Sequence, residues 1–345
     1  MVELETTPGR TCKINNKEFL FYSGYSYLGM NHVKEFTDLV KDGIDKYGLL
    51  FPSSRISNTT LKLYKEFENE LSKLTGMQDT VSFSSGFLAG QTIASVLSSY
   101  KNIYIAPGTH PAIKPKTTRE EITQSFDDWA LTITNLINSS AENEFVIACD
   151  SVNILTSEIH DLSFLKNITS HKKIIALIDD SHGIGIIGKD GEGIVSQLPH
   201  TDNVEYIISY SLSKAFNIQG GAISCSKYWS EKLRQHPAYT ASTPINPSLA
   251  YVYLHSRSLY LLQREKLFKN ISHLRSKTSR STILKNNFDL PVFICNKKNA
   301  EEYFYNNKII ISSFSYPYPS SDKINRIVVS ASHTQNDLDE LCSLL

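Results

Sequence analysis

The stretch Ile174–Gly188 reads IIALIDDSHGIGIIG, and Lys214 follows 26 residues after its last glycine, within SYSLSKAF. An apolar run closes on the carboxylate of Asp179, His182 comes three residues later, and Lys214 ends the next buried run. That set suits an aromatic aldehyde held as a Schiff base, with an acid keeping its ring nitrogen protonated. Pyridoxal phosphate has those needs. Lys214 must react as a neutral amine, and desolvation beside cationic groups lowers a lysine pKa. Alone, Lys214 reads equally as a surface lysine opening a helix; the upstream motif is what promotes it. Asp179 alone reads as a helix cap, a role Asp180 fits better, so Asp180 is expected to hold the loop. His182 is placed to hydrogen-bond the cofactor's phenolic oxygen, singled out only by its spacing from Asp179.

A phosphate needs a different set of groups. Ser84-Ser85-Gly86-Phe87 follows the strand-like TVSF and opens a helical pattern. Backbone N–H groups at a helix N-terminus, with serine hydroxyls and a glycine, make an anion cradle. Many strand-to-helix turns share this Ser/Gly composition, so the signal is weak alone. Ser211 and Ser213, just before Lys214, can add hydroxyls, as can Thr240 and Ser242 in YTASTP from a second subunit. His110, in IAPGTHPAI, is a candidate for stacking on the ring; a turn histidine between Gly108 and Pro111 is the equal alternative.

The elements that must position these residues are legible in outline. Thr80–Phe83, Ile103–Ile105, Phe145–Cys149, Ile174–Ile178, Tyr206–Ser209 and Ala222–Cys225 read as buried strands. Leu61–Leu74 and Trp129–Ile137 carry apolar residues at helical spacing. Strand–helix alternation predicts an α/β fold with a mainly parallel sheet between helices. Ligands collect at strand carboxyl ends in such sheets, where the candidate residues fall. From Leu249 the pattern changes: one long helix over Leu249–Lys277, strands near Leu290–Cys295, Ile309–Ser313 and Arg326–Ser330, and a closing helix Gln335–Leu344. The expected organisation is an N-terminal segment (1–40), a large cofactor-binding domain (41–248) and a small α+β C-terminal domain (249–345).

Bulk properties narrow the partners. The 345 residues carry 35 basic and 35 acidic side chains, a balance that points to neither nucleic acid nor an acidic membrane surface. Five scattered cysteines form no CxxC or Cys/His cluster, so free, mostly buried thiols are expected and no metal site. No run reaches the roughly 18 apolar residues of a membrane-spanning helix, and the polar N-terminus lacks a signal-peptide pattern. A soluble, cytoplasmic protein is the expectation.

The constellation resembles fold-type I pyridoxal phosphate enzymes and, within them, the α-oxoamine synthase family. YSYLG (25–29) resembles the family's NDYLG, and residues 53–76 its SRxxxGNTxxHxxLE helix. FSSGFLAG (83–90) is similar to the SGFxAN phosphate loop, and LIDDSHGIGIIGKDGEG (177–193) to VDDAHGxGVxGxxGxG. SLSKAF resembles the lysine loop, YTASTPINP the segment that crosses to a neighbouring active site, and INRIVVSASH (324–333) the RLRLTxTxxH strand.

The resemblance implies Lys214 as Schiff-base and proton-transfer lysine, Asp179 under the pyridine nitrogen and His182 on the phenolic oxygen. It implies His110 as stacking ring and Ser211 with the Gly86–Phe87 backbone at the phosphate, where Ser85, Ser213 and, from a second subunit, Thr240 and Ser242 are the further candidates. Arg326 falls on the arginine that holds the amino-acid carboxylate, a task suited to its fork, and Tyr25 joins it at the substrate. A homodimer with shared sites, amino acid and acyl-CoA substrates, and decarboxylative condensation to an α-aminoketone follow. A pyridoxal phosphate aminotransferase or aldol-type lyase is the alternative, and a non-catalytic relative a lesser one. The chain departs from the pattern at Tyr25, at Leu49–Pro52 in place of a glycine-rich loop, and at Tyr64 in place of a histidine. Ile154–Glu158 replaces SMDGD, and Phe314 stands where the family's oxononanoate synthases carry a second arginine. These departures are expected mostly around the substrate pocket.

Overall fold

The computed structural model describes residues 2–117, 124–286, 288–315 and 320–345. In chain order its elements are β1 (Thr11–Ile14), β2 (Lys17–Tyr22), α1 (Lys34–Tyr47), α2 (Lys62–Thr75), β3 (Asp79–Phe83), α3 (Gly86–Leu97), β4 (Ile103–Ile105), α4 (Phe126–Ser139) and β5 (Glu144–Asp150). There follow β6 (Val152–Asn153), β7 (Glu158–Ile159), β8 (Lys173–Asp179), β9 (Val204–Ser211), β10 (Gly221–Cys225), α5 (Lys227–Gln235) and the single turn α6 (Pro237–Thr240). The chain closes with α7 (Pro247–His255), α8 (Arg257–Thr278), β11 (Leu284–Lys285), β12 (Val292–Cys295), α9 (Ala300–Asn306), β13 (Ile309–Ser315), β14 (Lys323–Val328) and α10 (Gln335–Cys342).

The large sheet has the order β3-β10-β9-β8-β5-β4. β4, β5, β8 and β9 pair in parallel, whereas β10 runs antiparallel to both its neighbours. Its strands alternate between two apolar layers because successive side chains leave opposite faces. Ile174, Ala176 and Ile178 enter one core, and Ile175 and Leu177 the other. Burial on both faces is why these strands read as unbroken apolar runs. The carboxyl ends of β3, β9, β8, β5 and β4 share one rim, and the chemistry-bearing residues stand there.

The second sheet, β1-β2-β13-β14-β12-β11, joins the N-terminal segment to the C-terminal region, with β2 parallel to β13. His333 locks that union: its Nδ1 accepts the Ser330 N–H at 3.0 Å, so its Nε2–H donates to the Phe21 carbonyl at 3.1 Å. Burial pushes the His333 pKa down to about 4, which keeps this tautomer neutral.

Two expectations about elements need correction. The long helix over Leu249–Lys277 is broken at Ser256 into α7 and α8. Neither Gly nor Pro marks the break; it lets Tyr253 and Tyr260, one from each helix, both pack edge-on against Phe216. The strand expected at Arg326–Ser330 is β14, which starts three residues earlier and ends at Val328. Within the N-terminal segment, Thr11–Ile14 and Lys17–Tyr22 are sheet strands.

Candidate active site

The first wall of the site is the loop after β8. Asp179 Oδ1 accepts the Ser181 N–H at 2.9 Å. Asp180 turns inward instead: its carboxylate accepts the Ser151 hydroxyl at 2.6 Å and the Ile194 N–H at 2.9 Å. A Cβ at Gly183 or Gly193 would collide with that carboxylate, so both glycines are required by close approach. Asp180 therefore braces the loop, as its place in the sequence implies. Burial raises its pKa to about 7. Arg264 closes the loop from α8, donating to the carbonyls of Ile186, Gly188 and Lys189.

His182, Lys214, Asp179, His110, Arg326 and Tyr25 all line one cavity of about 220 Å³. His182 Nδ1 and the Tyr27 hydroxyl share a 2.7 Å hydrogen bond. Burial, then the charge of Lys214, pushes the His182 pKa well down, so its ring is neutral. Burial also lowers the Lys214 ammonium pKa, while Asp179 and Asp150 pull it the other way. A lysine poised toward its free amine is what Schiff-base chemistry needs. His110 is exposed at the mouth, its Nδ1 accepting the Ala112 N–H at 3.2 Å.

Arg326 reaches the cavity from β14 in the other sheet. Nη1 donates to the Ile154 carbonyl at 3.3 Å, and the guanidinium lies over the Phe314 ring at 4.7 Å. Its Nε is buried and has no hydrogen-bond partner among the described residues. A buried unpaired donor is costly, so Nε is left open to an acceptor that the described residues do not supply. The β6–β7 hairpin forms the facing wall; its Ser157 takes a left-handed φ of 57° and its hydroxyl donates to the Val292 carbonyl at 2.5 Å.

The cradle lies beside Lys214. Ser85 caps α3, its Oγ accepting the Leu88 N–H at 3.1 Å, and the Gly86 and Phe87 N–H groups fall in the helix's open first turn. Gly86 is wedged between Ser211 and Gly221: a Cβ there would stand 2.6 Å from Ser211 Cβ. Ser211 and Ser213 bond each other through their hydroxyls at 2.8 Å, and the Ser211 N–H donates to Ser181 Oγ at 2.9 Å. Thr240 and Ser242 are not brought in. The Thr240 carbonyl accepts the Ser54 hydroxyl, and the Ser242 hydroxyl donates to Ala238.

Two departures from the family pattern also sit elsewhere than expected. Tyr64 is buried with its hydroxyl on the Ile245 carbonyl at 3.1 Å and its ring against Arg55 and Phe51. Phe51 and Tyr64 are packing residues outside the cavity lining, whereas Tyr25, Ile154 and Phe314 line it. Conversely, Asp150, Tyr27 and His160 line the cavity without having been singled out. Asp150 had a visible signal: FVIACD ends on an acid after an apolar run, just as IIALID does. All five cysteines are free, four of them buried. Among the described residues no group of His, Cys, Asp and Glu forms a metal site, and no helix is long and apolar enough to cross a membrane.

Fold and site together define a fold-type I transferase that uses pyridoxal phosphate. The donor set fits that group: a hydroxyl-lined helix start for the phosphate, a strand-end carboxylate, a lysine, and a buried arginine with an idle donor. Residues 23–345 match the family model described as aminotransferase class I and II. The 8-amino-7-oxononanoate synthase of Petrotoga mobilis is 24% identical, over 97% of this chain and 90% of that protein. A serine palmitoyltransferase of Sphingobacterium spiritivorum is 25% identical, over 95% and 86%. Among solved structures, the serine palmitoyltransferase of Sphingomonas wittichii superposes with a TM-score of 0.85 at 17% identity, covering 99% of this chain and 90% of that one. The 8-amino-7-oxononanoate synthase of Francisella tularensis gives 0.72 at 23%, covering 94% and 96%. The chain belongs to the aminotransferase class I and II family, and within it to the pyridoxal phosphate-dependent α-oxoamine synthases, which are acyltransferases.

Proposed function

We propose that the protein condenses an amino acid with an acyl thioester, releasing carbon dioxide and free thiol to give an α-aminoketone. The observation that supports this most is the convergence of Lys214, Asp179, His182 and Arg326, whose buried Nε is unpaired among the described residues, on one cavity. Bound there, pyridoxal phosphate supplies an electron sink for the pair released at the amino acid's Cα. Gly86, Phe87, Ser211 and Ser213 would hold its phosphate, Asp179 its ring nitrogen and His182 its phenolic oxygen, with His110 over the ring. Arg326 orients the amino-acid carboxylate. Lys214 takes the Cα proton and returns a proton to the same carbon after carbon dioxide has left. Between those transfers Cα bonds to the acyl carbonyl carbon and the thiolate departs.

The acyl donor is read from the wall opposite Lys214. Val152, Ile154, Leu155, Val292 and Phe314 are apolar, and the Phe314 ring covers one face of Arg326. Donors whose chain lacks a terminal carboxylate suit that wall. A homodimer belongs to the proposal: Leu49, Leu50 and Ile56 expose apolar side chains, as does Phe87 beside the cradle, and the half-buried Thr240 and Ser242 would serve a partner's site.

The test is a panel of amino acids scored by spectral change, then acyl-CoA donors of increasing length scored by thiol and carbon dioxide release. A keto acid or aldehyde product without thiol release would reject the condensation in favour of transamination or aldol cleavage. Arg326→Lys keeps the charge but loses the fork, so the amino-acid KM rises roughly tenfold to a hundredfold. Steady-state kinetics at saturating donor measure it.

A further inference from the structure

We infer that Asp150 is a positioning residue of this site, its carboxyl group fixing the His110 turn beside Asp179 of the neighbouring strand. The inference rests on the cofactor reading above and adds a group that neither the glycine motif nor the lysine loop contains. β5 and β8 run parallel with Asp150 opposite Asp179, so the two carboxyl groups end adjacent strands at the same rim. Both line the cavity.

Every part of Asp150 is engaged. Its Oδ1 and Oδ2 stand 3.0 and 3.2 Å from the His110 backbone nitrogen and accept that N–H, fixing the backbone from which the His110 ring projects. Its carbonyl accepts the His160 Nδ1–H at 2.8 Å, and the His160 ring lies flat on Phe126 at 3.8 Å and 4°. The next residue ties both acids together: the Ser151 N–H donates to the Asp179 carbonyl at 2.8 Å, and its hydroxyl to Asp180 at 2.6 Å. Asp150 is thus held against the cavity.

The charged groups facing Asp150 are Asp179, Lys214 and Lys114. Two carboxylates on adjacent buried strand ends do not both ionise readily. Burial, then the Asp179 charge, lifts the Asp150 carboxyl well above the usual carboxylate range. In its neutral form, too, the group keeps an oxygen that accepts the His110 N–H.

The test compares Asp150→Asn, which is neutral and of the same shape, with Asp150→Ala and the longer Asp150→Glu. Pyridoxal phosphate is titrated into each apo-protein, with absorbance as readout and apo-protein melting as the folding control. Asp150→Asn is expected to bind within about threefold of wild type, and Asp150→Ala about tenfold more weakly. Asp150→Glu, which keeps the acid but displaces the His110 turn, weakens binding by a similar factor and serves if the alanine variant does not fold. Tenfold loss in Asp150→Asn, or wild-type binding by Asp150→Glu, would overturn the inference. A wild-type chain that binds no pyridoxal phosphate would instead overturn the cofactor reading, and the wild-type titration separates the two failures.

Discussion

Lys214→Ala lowers aminoketone formation by roughly 10²–10⁴-fold, the range a positioned general acid–base group contributes. Two losses combine in that number: the amine that engages the aldehyde, and the proton carrier at Cα. The cradle at Gly86, Phe87, Ser211 and Ser213 and the carboxylate of Asp179 are untouched, so the variant still retains pyridoxal phosphate. Carbon dioxide and thiol release in single-turnover experiments measure the chemical step apart from binding. A small exogenous amine restores part of the rate, because the cavity left by the lysine side chain admits one. Wild-type activity in the variant would remove Lys214 from the mechanism. The pH dependence carries a sign as well. Burial lowers the Lys214 ammonium pKa, so its base form persists to lower pH than that of a solvent-exposed lysine. Activity then falls as pH drops through that lowered value, since only the free amine accepts a proton.

Asp179→Asn is the second large effect, a loss of roughly 10²–10³-fold in kcat, by analogy with removing one preorganised electrostatic group. The amide keeps the shape and can accept the Ser181 N–H, so the loop after β8 stays folded. What it lacks is the negative charge that holds a proton on a ring nitrogen. The affinity for pyridoxal phosphate changes far less than the rate. This variant therefore contrasts with Asp150→Asn, in which rate and affinity stay close to wild type. Equal kinetic losses in both asparagine variants would mean that the two carboxyl groups share one charge, not that they divide the roles. Steady-state kinetics with cofactor titration on the two variants decide it.

How much of this was legible before folding depends on the residue. Asp179, His182, Lys214 and the Ser85–Phe87 turn each follow an apolar run, and a strand end can be read from local pattern alone. Asp150 carried the same local mark but was passed over, because no spacing motif accompanied it. Tyr64 and Phe51 were read as pocket residues from their departure out of a pattern. Folding buries Tyr64 instead against Arg55, where Tyr64 and Tyr239 both lie 4.8 Å from the guanidinium, and packs Phe51 edge-on to Tyr64. Ser256 ends a helix with no Gly or Pro to announce it, since the break answers to ring packing on Phe216.

By itself, the sequence determined the alternation of strands and helices, the cofactor, and the candidate side chains for it. All of these are local, set by period-two and helical burial patterns and by the residue that closes each run. Only the tertiary structure decided which strand ends are neighbours. It placed β5 beside β8, and so a second acid against Asp179. It also carried Arg326 from the other sheet into the cavity and joined β2 to β13 across nearly the whole chain. Strand order and register come from long-range burial and pairing, which local periodicity does not encode. That is why the chemistry was legible in the chain and the geometry that supports it was not.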